Sequence, residues 1–377
     1  MNVGLNLIYL VPGETGGMET YARELIPALV RERPDLAITC FINREAHEAE
    51  PGPWSELGRV VVVPVRARRR VEWVRGEQYF LPRLAARAGV DLVHSLASTA
   101  PVWGSFRRVV TILDLIYRIY PEAHAGLRSR AMGVLVPSAA RRSHRIIAPS
   151  SSTRNDLVHL LKISPAKIDV APLGVGRSFT SPSDESELRA RHRLDGRAVV
   201  LTASAKRPHK NLVRLLDALA LIPPERRPVL VLPGYATDHE KALREHAARL
   251  DLTADTRFLG WISAPDLEGF YRLASCFVFP SLYEGFGLPV LEAMARGLPV
   301  ASSDRSALAE VTGGAARTFD PERPEAIAEA IEDLLSDRAL AGRLRAAGLE
   351  QARRFTWGST ALATARSYEL ALGLHDR

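Results

Sequence analysis

The sequence predicts an α/β protein of two doubly wound domains, each built on a parallel sheet with helices on both faces. The chain has 377 residues, too many for one ordinary core, so two domains of roughly 150–200 residues are expected. Short β-branched runs alternate with longer helical patterns, which is typical of parallel sheets. A turn-rich stretch, 171–184, interrupts this alternation near the middle of the chain.

The first half of the chain contains the continuous apolar runs of strands that are buried on both faces. Strands are predicted at Val3–Leu10, Ala37–Ile42, Val60–Val65, Leu92–His94, Val109–Leu113 and Arg145–Ala148. Helices are predicted at Met18–Arg31, Glu72–Ala88 and Ser151–Leu161. We interpret Val3–Leu10 as a buried strand and not as a signal peptide, because it has no basic leader and no small-residue cleavage site.

The stretch 171–184 is rich in Gly, Pro and Ser and has no periodic pattern. It predicts a first domain over residues 1–175, a linker over 176–195 and a second domain over 196–355. The last helix, at about Gly358–Leu374, is amphipathic. We therefore expect the segment 356–377 to pack back on the first domain.

The strand and helix alternation restarts after this stretch. Strands are predicted at Ala198–Ala203, Val229–Leu232, Thr256–Phe258, Cys276–Phe279 and near Pro299–Ser302. Helices are predicted at Asn211–Leu221, Asp238–Leu250, Ala264–Leu273, Pro289–Ala295 and Pro324–Leu335. Ligands of such sheets bind outside the carboxyl ends of the strands, and the cleft between two such domains is the expected active site.

The composition is ordinary for a globular protein, with 46% hydrophobic and 25% charged residues. No run of about 18 apolar residues occurs, so no transmembrane helix is predicted. Cys40 and Cys276 are far apart in sequence. This spacing argues against a disulfide framework and fits a reducing cytosol.

The net charge of +7 is concentrated in the first half of the chain. Residues 1–185 carry 24 Lys and Arg against 18 Asp and Glu, whereas residues 186–377 carry 26 against 25. The excess indicates an anionic partner, such as a phospholipid surface or a diphosphate-linked acceptor, or else an arginine-rich solvated surface. Both interpretations apply to the basic segment beside Trp73, which contains Arg66, Arg68, Arg69 and Arg70. No aromatic interleaving accompanies the arginines, which disfavours nucleic acid.

A glycine turn with two carboxylates follows the predicted strand Cys276–Phe279. Gly285 and Gly287 precede a helix that begins near Pro289, where a missing N–H costs nothing. Glycines allow the backbone to approach a ligand, and a helix N-terminus favours phosphate. Glu284 lies in the turn and Glu292 about one turn into the helix, so either can face a sugar or ribose hydroxyl. The alternative is a simple turn with a carboxylate that complements the helix dipole.

Three cations lie at a predicted strand-to-helix junction, namely Lys206, Arg207 and Lys210, and Asn211 is a suitable helix cap after them. Their positive charge would neutralise a diphosphate leaving group. The alternative is an exposed basic loop.

Three further candidates follow strands of the first domain. Gly16 and Gly17 open a helix after the first strand, either to admit a phosphate or sugar or as a plain tight turn. Asp114 and His94 end apolar strands, where polar groups face a cleft or simply cap the strand. No Asp-x-Asp, Walker loop, Gly-x-Ser-x-Gly or zinc spacing occurs. A metal-held diphosphate is therefore not predicted, and cations and a helix N-terminus would carry the leaving-group charge.

With these segments, the chain closely resembles the retaining glycosyltransferases of family 4, which have the GT-B fold of two Rossmann-like domains facing each other across a cleft. The resemblance spans nearly the whole chain. It rests on GGMETYAREL, DLVHS, IAPSSSTRNDLV, IDVAPLGV, HKNLVRLLDA and FLGWI. Its most specific part is FVFPSLYEGFGLPVLEAMARGLPVASS, in which Glu284 and Glu292 have the Glu-x7-Glu spacing of the family.

The resemblance implies roles for individual residues. Lys210, with Arg207 or Lys206, would bind the donor diphosphate, and Gly17 with Gly16 would approach it from the first domain. The backbone that cradles the diphosphate would be that of Gly285, Phe286, Gly287 and Leu288. Glu284 would face the donor sugar, Glu292 would hold the ribose, and Trp261 and Ile262 would flank the base.

Three positions depart from the family's usual pattern. Leu113 stands where a histidine often precedes the aspartate, so Asp114 would act without it. Ser204 replaces a common glycine and His209 a common arginine.

The resemblance also implies the reaction. A hexosyl group, mannose or glucose, would pass from a GDP- or UDP-linked donor to a hydroxyl acceptor with retention, and without a metal or other cofactor. The acceptor would be an oligosaccharide, a lipid-linked glycan or a small molecule, and the enzyme would be cytoplasmic, with peripheral membrane contact as an option. The alternatives are a sugar-nucleotide epimerase or phosphorylase on the same fold, and a non-catalytic sugar-nucleotide-binding protein. The oligomeric state is left open.

Overall fold

The computed structural model describes residues 1–49, 52–123, 127–176 and 181–374. The chain divides into two compact units. Unit 1 comprises Met1–Gly176 and Phe355–Arg377, and unit 2 comprises Arg177–Arg354. Each unit is an α/β domain with its own parallel sheet.

In the described part of unit 1, seven parallel strands form one sheet in the order β3-β2-β1-β4-β5-β6-β7. The strands are β1 (Asn2–Leu7), β2 (Ala37–Ile42), β3 (Arg59–Val62), β4 (Leu92–Ser95), β5 (Arg107–Thr111), β6 (Arg145–Ala148) and β7 (Ile168–Val170). The predicted bounds of β2 and β6 are confirmed. Strand β7 was missed because it contributes only three residues at the edge of the sheet.

Helices cover both faces of this sheet. They are α1 (Gly17–Glu32), α2 (Arg44–Glu48), α3 (Trp54–Leu57), α4 (Arg70–Arg75), α5 (Leu81–Ala88), α6 (Ile116–Ile119), α7 (Leu127–Arg142) and α8 (Ser151–Leu161). A π-helical turn, Gly76–Phe80, joins α4 to α5 without a break. The predicted helix Glu72–Ala88 is therefore present but contains this wider turn, which a helical repeat in the sequence does not reveal.

In unit 2, six parallel strands form one sheet in the order β10-β9-β8-β11-β12-β13 within the residues described. The strands are β8 (Val199–Leu201), β9 (Val229–Leu232), β10 (Thr256–Phe258), β11 (Cys276–Phe279), β12 (Val300–Ser303) and β13 (Arg317–Phe319). The predicted bounds of β9, β10 and β11 are confirmed. Strand β13 was missed, again as a three-residue edge strand.

The helices of unit 2 are α9 (Glu185–His192), α10 (Leu212–Leu221), α11 (Asp238–Arg249), α12 (Ala264–Leu273), α13 (Leu288–Ala295), α14 (Ala307–Thr312), α15 (Pro324–Ser336) and α16 (Arg338–Ala352). Helix α9 occupies part of the stretch that the sequence assigned to a linker. It buries only Leu188, so it leaves little apolar periodicity to recognise. Helix α16 was missed for a similar reason, because most of its side chains are exposed.

The last helix, α17 (Trp357–Leu372), belongs to unit 1. Arg33 Nη1, just beyond α1, donates to Glu369 Oε1 at 2.6 Å, and the Thr360 hydroxyl donates to the Pro172 carbonyl at 2.6 Å. The inner face of α17 buries Ala361, Ala365 and Tyr368 completely. Among the described helices of both units, none is long and apolar enough to span a bilayer.

Each sheet has one point where the strand order reverses. In unit 1 this switch point lies between β1 and β4, and in unit 2 it lies between β8 and β11. The connections leave such a pair of strands in opposite directions, which opens a crevice at their carboxyl ends where ligands bind.

Candidate active site

The switch point of unit 2 brings two of the predicted segments together. Lys210 lies in the loop after β8 and Glu284 in the loop after β11. Lys210 Nζ donates to Glu284 Oε1 at 2.5 Å. The two side chains are only 16% and 10% exposed, so the ion pair is well shielded from water.

Neighbouring bonds fix both loops. The Leu282 N–H and the Ser281 hydroxyl donate to the His209 carbonyl at 2.9 and 3.2 Å. The Glu284 N–H donates to Ser306 Oγ at 2.9 Å. Lys210 Nζ also lies 5.3 Å from the centre of the Phe279 ring. These bonds fix the two loops that carry the cation and the carboxylate.

Asn211 occupies the cap position of α10 but does not cap it as predicted. Its Nδ2 donates to the carbonyls of Pro280 and Pro321 at 3.1 and 2.7 Å. The residue has a φ of 58°. Asn211 thus fastens the loop after β8 to the ends of β11 and β13, and so helps to position Lys210.

The glycine turn ends at the N-terminus of α13, as predicted. Gly287 is its cap residue with a φ of 113°, and no side chain caps the helix. A Cβ added at Gly287 would lie 2.6 Å from Leu308 Cδ2, so both the backbone and the packing require glycine here. Gly285 and Phe286 are buried and Leu288 is half-buried. A glycine turn that leads into a helix N-terminus without a side-chain cap is the arrangement that favours an anion.

Glu292 lies on α13 with its carboxylate held in place. The Tyr271 hydroxyl donates to Glu292 Oε2 at 3.0 Å. Burial raises the pKa of Tyr271 far above its usual range, and the carboxylate of Glu292 adds to this. The phenol therefore stays protonated and remains a donor to the half-buried Glu292.

Lys206 does not face the crevice, in contrast to the prediction that it could bind diphosphate. Its side chain is completely buried. Nζ donates to the carbonyls of Leu232, Gly234 and Leu259 at 2.8, 2.6 and 2.6 Å. An ammonium has three N–H groups, so none is left for a phosphate. Arg207, the next residue, is half-buried on the same loop.

Trp261 and Ile262 lie in the loop after β10, at the same edge of the sheet. Trp261 is 66% exposed although it is a large aromatic residue. Its ring stacks on Tyr235 with centres 4.5 Å apart and an angle of 21° between the planes. Ile262 is half-buried. The stacked pair offers a flat apolar surface beside the loop that carries Arg207.

In unit 1, Gly16 and Gly17 lie at the N-terminus of α1, after the first strand. Gly16 is the cap residue with a φ of 54°, and no side chain caps the helix. A Cβ added at Gly17 would meet no atom within 4 Å, so open space adjoins this backbone. The helix N-terminus in unit 1 is thus built like that of α13, from a glycine cap without a competing side chain.

Asp114 and His94 follow or end strands of unit 1, with different surroundings. Asp114 is half-buried, and its Oδ1 accepts from the Ile116 N–H at 3.1 Å. His94 is completely buried, with Nδ1 2.8 Å from the Tyr368 hydroxyl and Nε2 2.7 Å from Thr111 Oγ1. Burial lowers the pKa of His94 to about 3. His94 is therefore a neutral core histidine that joins β4 and β5 to α17, in contrast to the prediction that it faces a ligand.

The sequence interpretation missed a buried carboxyl at the switch point of unit 1. Glu77 Oε1 accepts from Asn6 Nδ2 at 3.0 Å and from the Thr99 hydroxyl at 2.9 Å, and Oε2 accepts from Gln78 Nε2 at 3.2 Å. Burial raises the pKa of Glu77 to about 7. The only signal in the sequence was a glutamate on the apolar face of the predicted helix Glu72–Ala88.

A surface cavity of about 530 Å³ in unit 2 is lined by Arg191, Arg193, Arg197 and Arg257, among others. It lies beside the start of β10 and the segment that leads into β8. These are the amino ends of the strands, whereas the candidate groups above lie at the carboxyl ends. The cavity is therefore separate from the candidate site of this unit.

Each unit of the chain matches the model of a known protein family. Residues 15–178 match the model of the family described as Glycosyltransferase Family 4, and residues 184–351 match that of Glycosyl transferases group 1. The candidate residues of unit 2 all lie within the second match. The two matches together cover most of both sheets.

Relatives and solved structures agree with these matches. The chain is 31% identical to the O-antigen chain mannosyltransferase B of Escherichia coli over 268 residues, and this aligned region covers 70% of each chain. Sucrose-phosphate synthase of Thermosynechococcus elongatus has a similar fold, with a TM-score of 0.78, 20% identity and coverage of 99% of this chain and 100% of the other. Anabaena HepE, solved with UDP and glucose, has a TM-score of 0.76 at 21% identity, covering 98% and 99%. The chain belongs to the family 4 glycosyltransferases of the GT-B type.

Proposed function

We propose that this glycosyltransferase moves a hexosyl group, mannose or glucose, from a nucleoside-diphosphate-sugar to a hydroxyl acceptor with retention and without a metal. The observation that carries the proposal is the shielded Lys210–Glu284 pair beside the N-terminus of α13. It joins a fixed cation, a carboxylate and backbone N–H groups at one switch point. A diphosphate needs the cation and the N–H groups, and a sugar hydroxyl needs the carboxylate.

The donor diphosphate would bind between Lys210, Arg207 and the backbone of 285–288. In the free protein Lys210 contacts Glu284. An incoming phosphate would share this ammonium, and Glu284 would then accept from sugar hydroxyls. Glu292, oriented by Tyr271, would accept from the ribose, and Trp261 and Ile262 would flank the base.

The proposed chemical step needs no dedicated base. The bond between the anomeric carbon and the diphosphate oxygen breaks, and the acceptor oxygen bonds to that carbon on the same face. The acceptor proton passes to the departing phosphate oxygen. Lys210 and the helix N-terminus stabilise the negative charge that develops on the diphosphate. For Gly16, Gly17 and Asp114 of unit 1 we propose the roles that the resemblance implies, the glycines toward diphosphate and Asp114 in catalysis.

The comparisons support the choice of substrates. The relative with 31% identity is named a mannosyltransferase of an O-antigen chain, which favours a mannosyl donor and a saccharide acceptor in polysaccharide synthesis. HepE was solved with UDP and glucose, which keeps a uridine donor as the second choice. GDP-mannose and UDP-glucose are therefore the first donors to test.

Thermal stabilisation by nucleotide sugars tests this proposal. A ligand present at 100 times its Kd adds about 2.7 kcal/mol to the free energy of unfolding, so the correct donor raises Tm. We expect GDP-mannose or UDP-glucose to raise Tm of the wild type but not of Lys210→Met. Lys241→Met, at an exposed lysine of α11, is the matched control and should respond like the wild type.

A second measurement separates the enzyme from its alternatives. The correct donor should be hydrolysed slowly to free sugar with the original anomeric configuration, in the presence of EDTA as in its absence. Stabilisation without hydrolysis or transfer would support a non-catalytic binding protein. Conversion of the nucleotide sugar to its epimer would support an epimerase, and a requirement for added metal would contradict the proposed metal independence.

We also propose that the enzyme works in the cytoplasm at an anionic membrane surface. Arg66, Arg68 and Arg69 pair with carboxylates, so the positive charge of the basic segment beside Trp73 is largely neutralised. A better surface is formed by α4, the π-helical turn, α5 and the loop between β4 and β5. We call it the aromatic–arginine stripe, and it comprises Val71, Arg75, Tyr79, Arg83, Val102 and Trp103.

The stripe has the chemistry of a bilayer interface, and it corrects the expectation that no aromatic residues accompany the arginines of unit 1. The Arg83 guanidinium lies 3.7 Å from the centre of the Tyr79 ring and 5.1 Å from that of Trp103. Tyr79 and Trp103 are 47% and 44% exposed, and Val71 is 84% exposed. Aromatic rings favour the headgroup region, and arginines beside them favour anionic lipid.

A further inference from the structure

Lys206 is a buried cation without a carboxylate among its hydrogen-bond partners. Its three N–H groups all donate to backbone carbonyls, those of Leu232, Gly234 and Leu259. Burying an ammonium is costly unless every donor is satisfied. Here the compensation comes only from backbone carbonyl oxygens, which accept all three N–H groups. Proteins also use such oxygens as ligands for metal cations.

The three carbonyls come from two neighbouring strand ends. Leu232 is the last residue of β9, Gly234 follows it in the same loop, and Leu259 follows β10 directly. Lys206 itself lies in the loop after β8. The Lys206 ammonium thus links the carboxyl ends of β9 and β10 to the loop after β8.

Backbone bonds complete this junction. The Lys206 N–H donates to the Tyr235 carbonyl at 3.1 Å, and the Gly234 N–H donates to the Gly260 carbonyl at 3.0 Å. The Thr237 hydroxyl donates to the Lys206 carbonyl. The loops 202–211, 233–237 and 259–263 therefore form one hydrogen-bonded unit with the ammonium at its centre.

The same loops carry groups that we assign to the donor. Arg207 follows Lys206, and Lys210 ends the loop and contacts Glu284. Trp261 stacks on Tyr235, so this ring pair spans the loops after β9 and β10. Displacement of the junction would move the diphosphate ligands and the aromatic pair together.

We infer that Lys206 is a positioning residue, an internal cation that holds the loops after β8, β9 and β10 so that Arg207, Lys210 and Trp261 face the donor nucleotide. This inference rests on the proposed function for the identity of the ligand. The hydrogen-bonded junction itself rests only on the contacts of unit 2.

The surroundings fit a cation held by carbonyls. Burial lowers the pKa of Lys206 to about 8, and the field of Glu240 opposes this shift while that of Arg244 adds to it. Both charged residues lie on α11, and Glu240 is itself paired with Arg244. The three carbonyl bonds need the protonated form and therefore also oppose the loss of the proton.

Two substitutions and a chemical rescue test the inference. Lys206→Met keeps the apolar stem and removes the cation, whereas Lys206→Ala removes the atoms of a propylammonium ion. We expect both variants to bind UDP or GDP, measured by calorimetry, at least tenfold more weakly than the wild type. Added n-propylammonium should restore affinity to Lys206→Ala, and n-propanol and tetramethylammonium should not. Lys241→Met, with added propylammonium, controls for general effects of the amine.

Amide hydrogen exchange supplies a readout that does not need the nucleotide. Exchange in 233–237 and 259–263 should rise in both variants and fall again in Lys206→Ala with propylammonium. Wild-type affinity and exchange in the variants would overturn the inference, as would global unfolding that the amine does not reverse. If the wild type binds neither nucleotide, the proposed function fails, while loop exchange still decides the role of Lys206.

Discussion

Lys210 Nζ and Glu284 Oε1 lie 2.5 Å apart, although 74 positions separate the two residues in sequence. Each side chain comes from the carboxyl end of a strand, β8 or β11, where the strand order of unit 2 reverses. The pair is shielded, so each charge depends on the other in the free protein. A donor that binds between them must replace this contact with contacts to phosphate and sugar.

The pair predicts separable effects of its two members. Lys210→Met removes the cation at the diphosphate, so we expect free UDP or GDP to bind more weakly and kcat/KM to fall by about 10²–10³. Glu284→Gln keeps the shape of the side chain but weakens acceptance from sugar hydroxyls. It should leave the affinity for the free nucleotide within about threefold and lower kcat/KM for the nucleotide sugar by at least tenfold.

Calorimetry with the free nucleotide and steady-state kinetics with the donor measure these two effects. Lys241→Met again serves as the control for the loss of a lysine. If Glu284→Gln weakened free nucleotide as much as nucleotide sugar, the assignment of Glu284 to the sugar would be wrong.

Gly287 predicts how far the phosphate-facing turn tolerates a side chain. Gly287→Ala places a Cβ 2.6 Å from Leu308 Cδ2 at a φ of 113°. A non-glycine residue in such a conformation costs about 1–3 kcal/mol. We expect a lower Tm and weaker nucleotide binding, because the turn must shift at the N-terminus of α13.

The double variant Gly287→Ala/Leu308→Ala separates the contact from the backbone conformation. The double variant should remove the clash with Leu308 but not the strain of the positive φ at position 287. Nucleotide binding should therefore stay weaker than in a Leu308→Ala single variant. Gly342→Ala, in α16 with no atom near the added methyl group, is the control and should not reduce Tm. Unchanged binding by Gly287→Ala would contradict a role for this turn at the diphosphate.

Several parts of this site were predictable from sequence, since they depend on local chemistry. The helix start at Leu288, the glycine turn before it and the loop with Lys210 follow from residue types at short spacing. The contact of Lys210 with Glu284 does not, because it depends on which strands are neighbours in the sheet. Periodicity identifies a strand but not its position in the strand order.

Burial explains the errors at Lys206 and His94. A lysine after a strand is normally a solvated cation, and nothing nearby in the sequence supplies the carbonyls of Leu232 and Leu259. His94 is enclosed by Tyr368, which is 274 positions away. Such long-range partners decide whether a polar residue faces a ligand or the core.

Glu77 predicts a distinctive dependence of stability on pH. Its pKa is raised from 4.5 to about 7. A carboxyl with a raised pKa contributes stability that is fully present below about pH 4.5 and lost as pH rises through about 7. The shift corresponds to about 3 kcal/mol at most. Glu77→Gln cannot ionise, so its free energy of unfolding relative to the wild type should increase between about pH 5 and pH 8.

His94 acts in the opposite direction. Its pKa is lowered to about 3, so its contribution is present above about pH 6.5 and is lost as pH falls toward 3. In the wild type the two groups partly cancel between about pH 4.5 and 6.5, and Glu77→Gln should expose the rise due to His94. Urea unfolding across this range measures both effects, with Glu56→Gln, an exposed carboxyl of unit 1, as the control. A constant difference between Glu77→Gln and the wild type at all pH values would contradict the raised pKa.

The aromatic–arginine stripe predicts binding to anionic vesicles. The partly exposed rings of Tyr79 and Trp103 both lie close to the Arg83 guanidinium, and each arginine near an anionic surface contributes about 1 kcal/mol. We expect the wild type to sediment with phosphatidylcholine vesicles that contain phosphatidylglycerol, and much less with phosphatidylcholine alone. Tyr79→Ser/Trp103→Ser should reduce binding at any salt concentration, because it removes the rings that enter the headgroup region.

Arg75→Gln/Arg83→Gln should instead remove the preference for anionic lipid and the sensitivity to salt, because screening acts on the charges and not on the rings. Trp261→Ser removes a tryptophan from unit 2 that is more exposed, 66% against 44% for Trp103, and is the control, with binding expected to match the wild type. Equal losses in Trp261→Ser and in the Tyr79 and Trp103 variant would show that any exposed ring suffices. Wild-type sedimentation by both double variants would show that another surface binds the vesicles. Failure of the wild type itself to sediment would contradict the membrane proposal and leave a soluble anionic acceptor as the partner of the basic excess of unit 1.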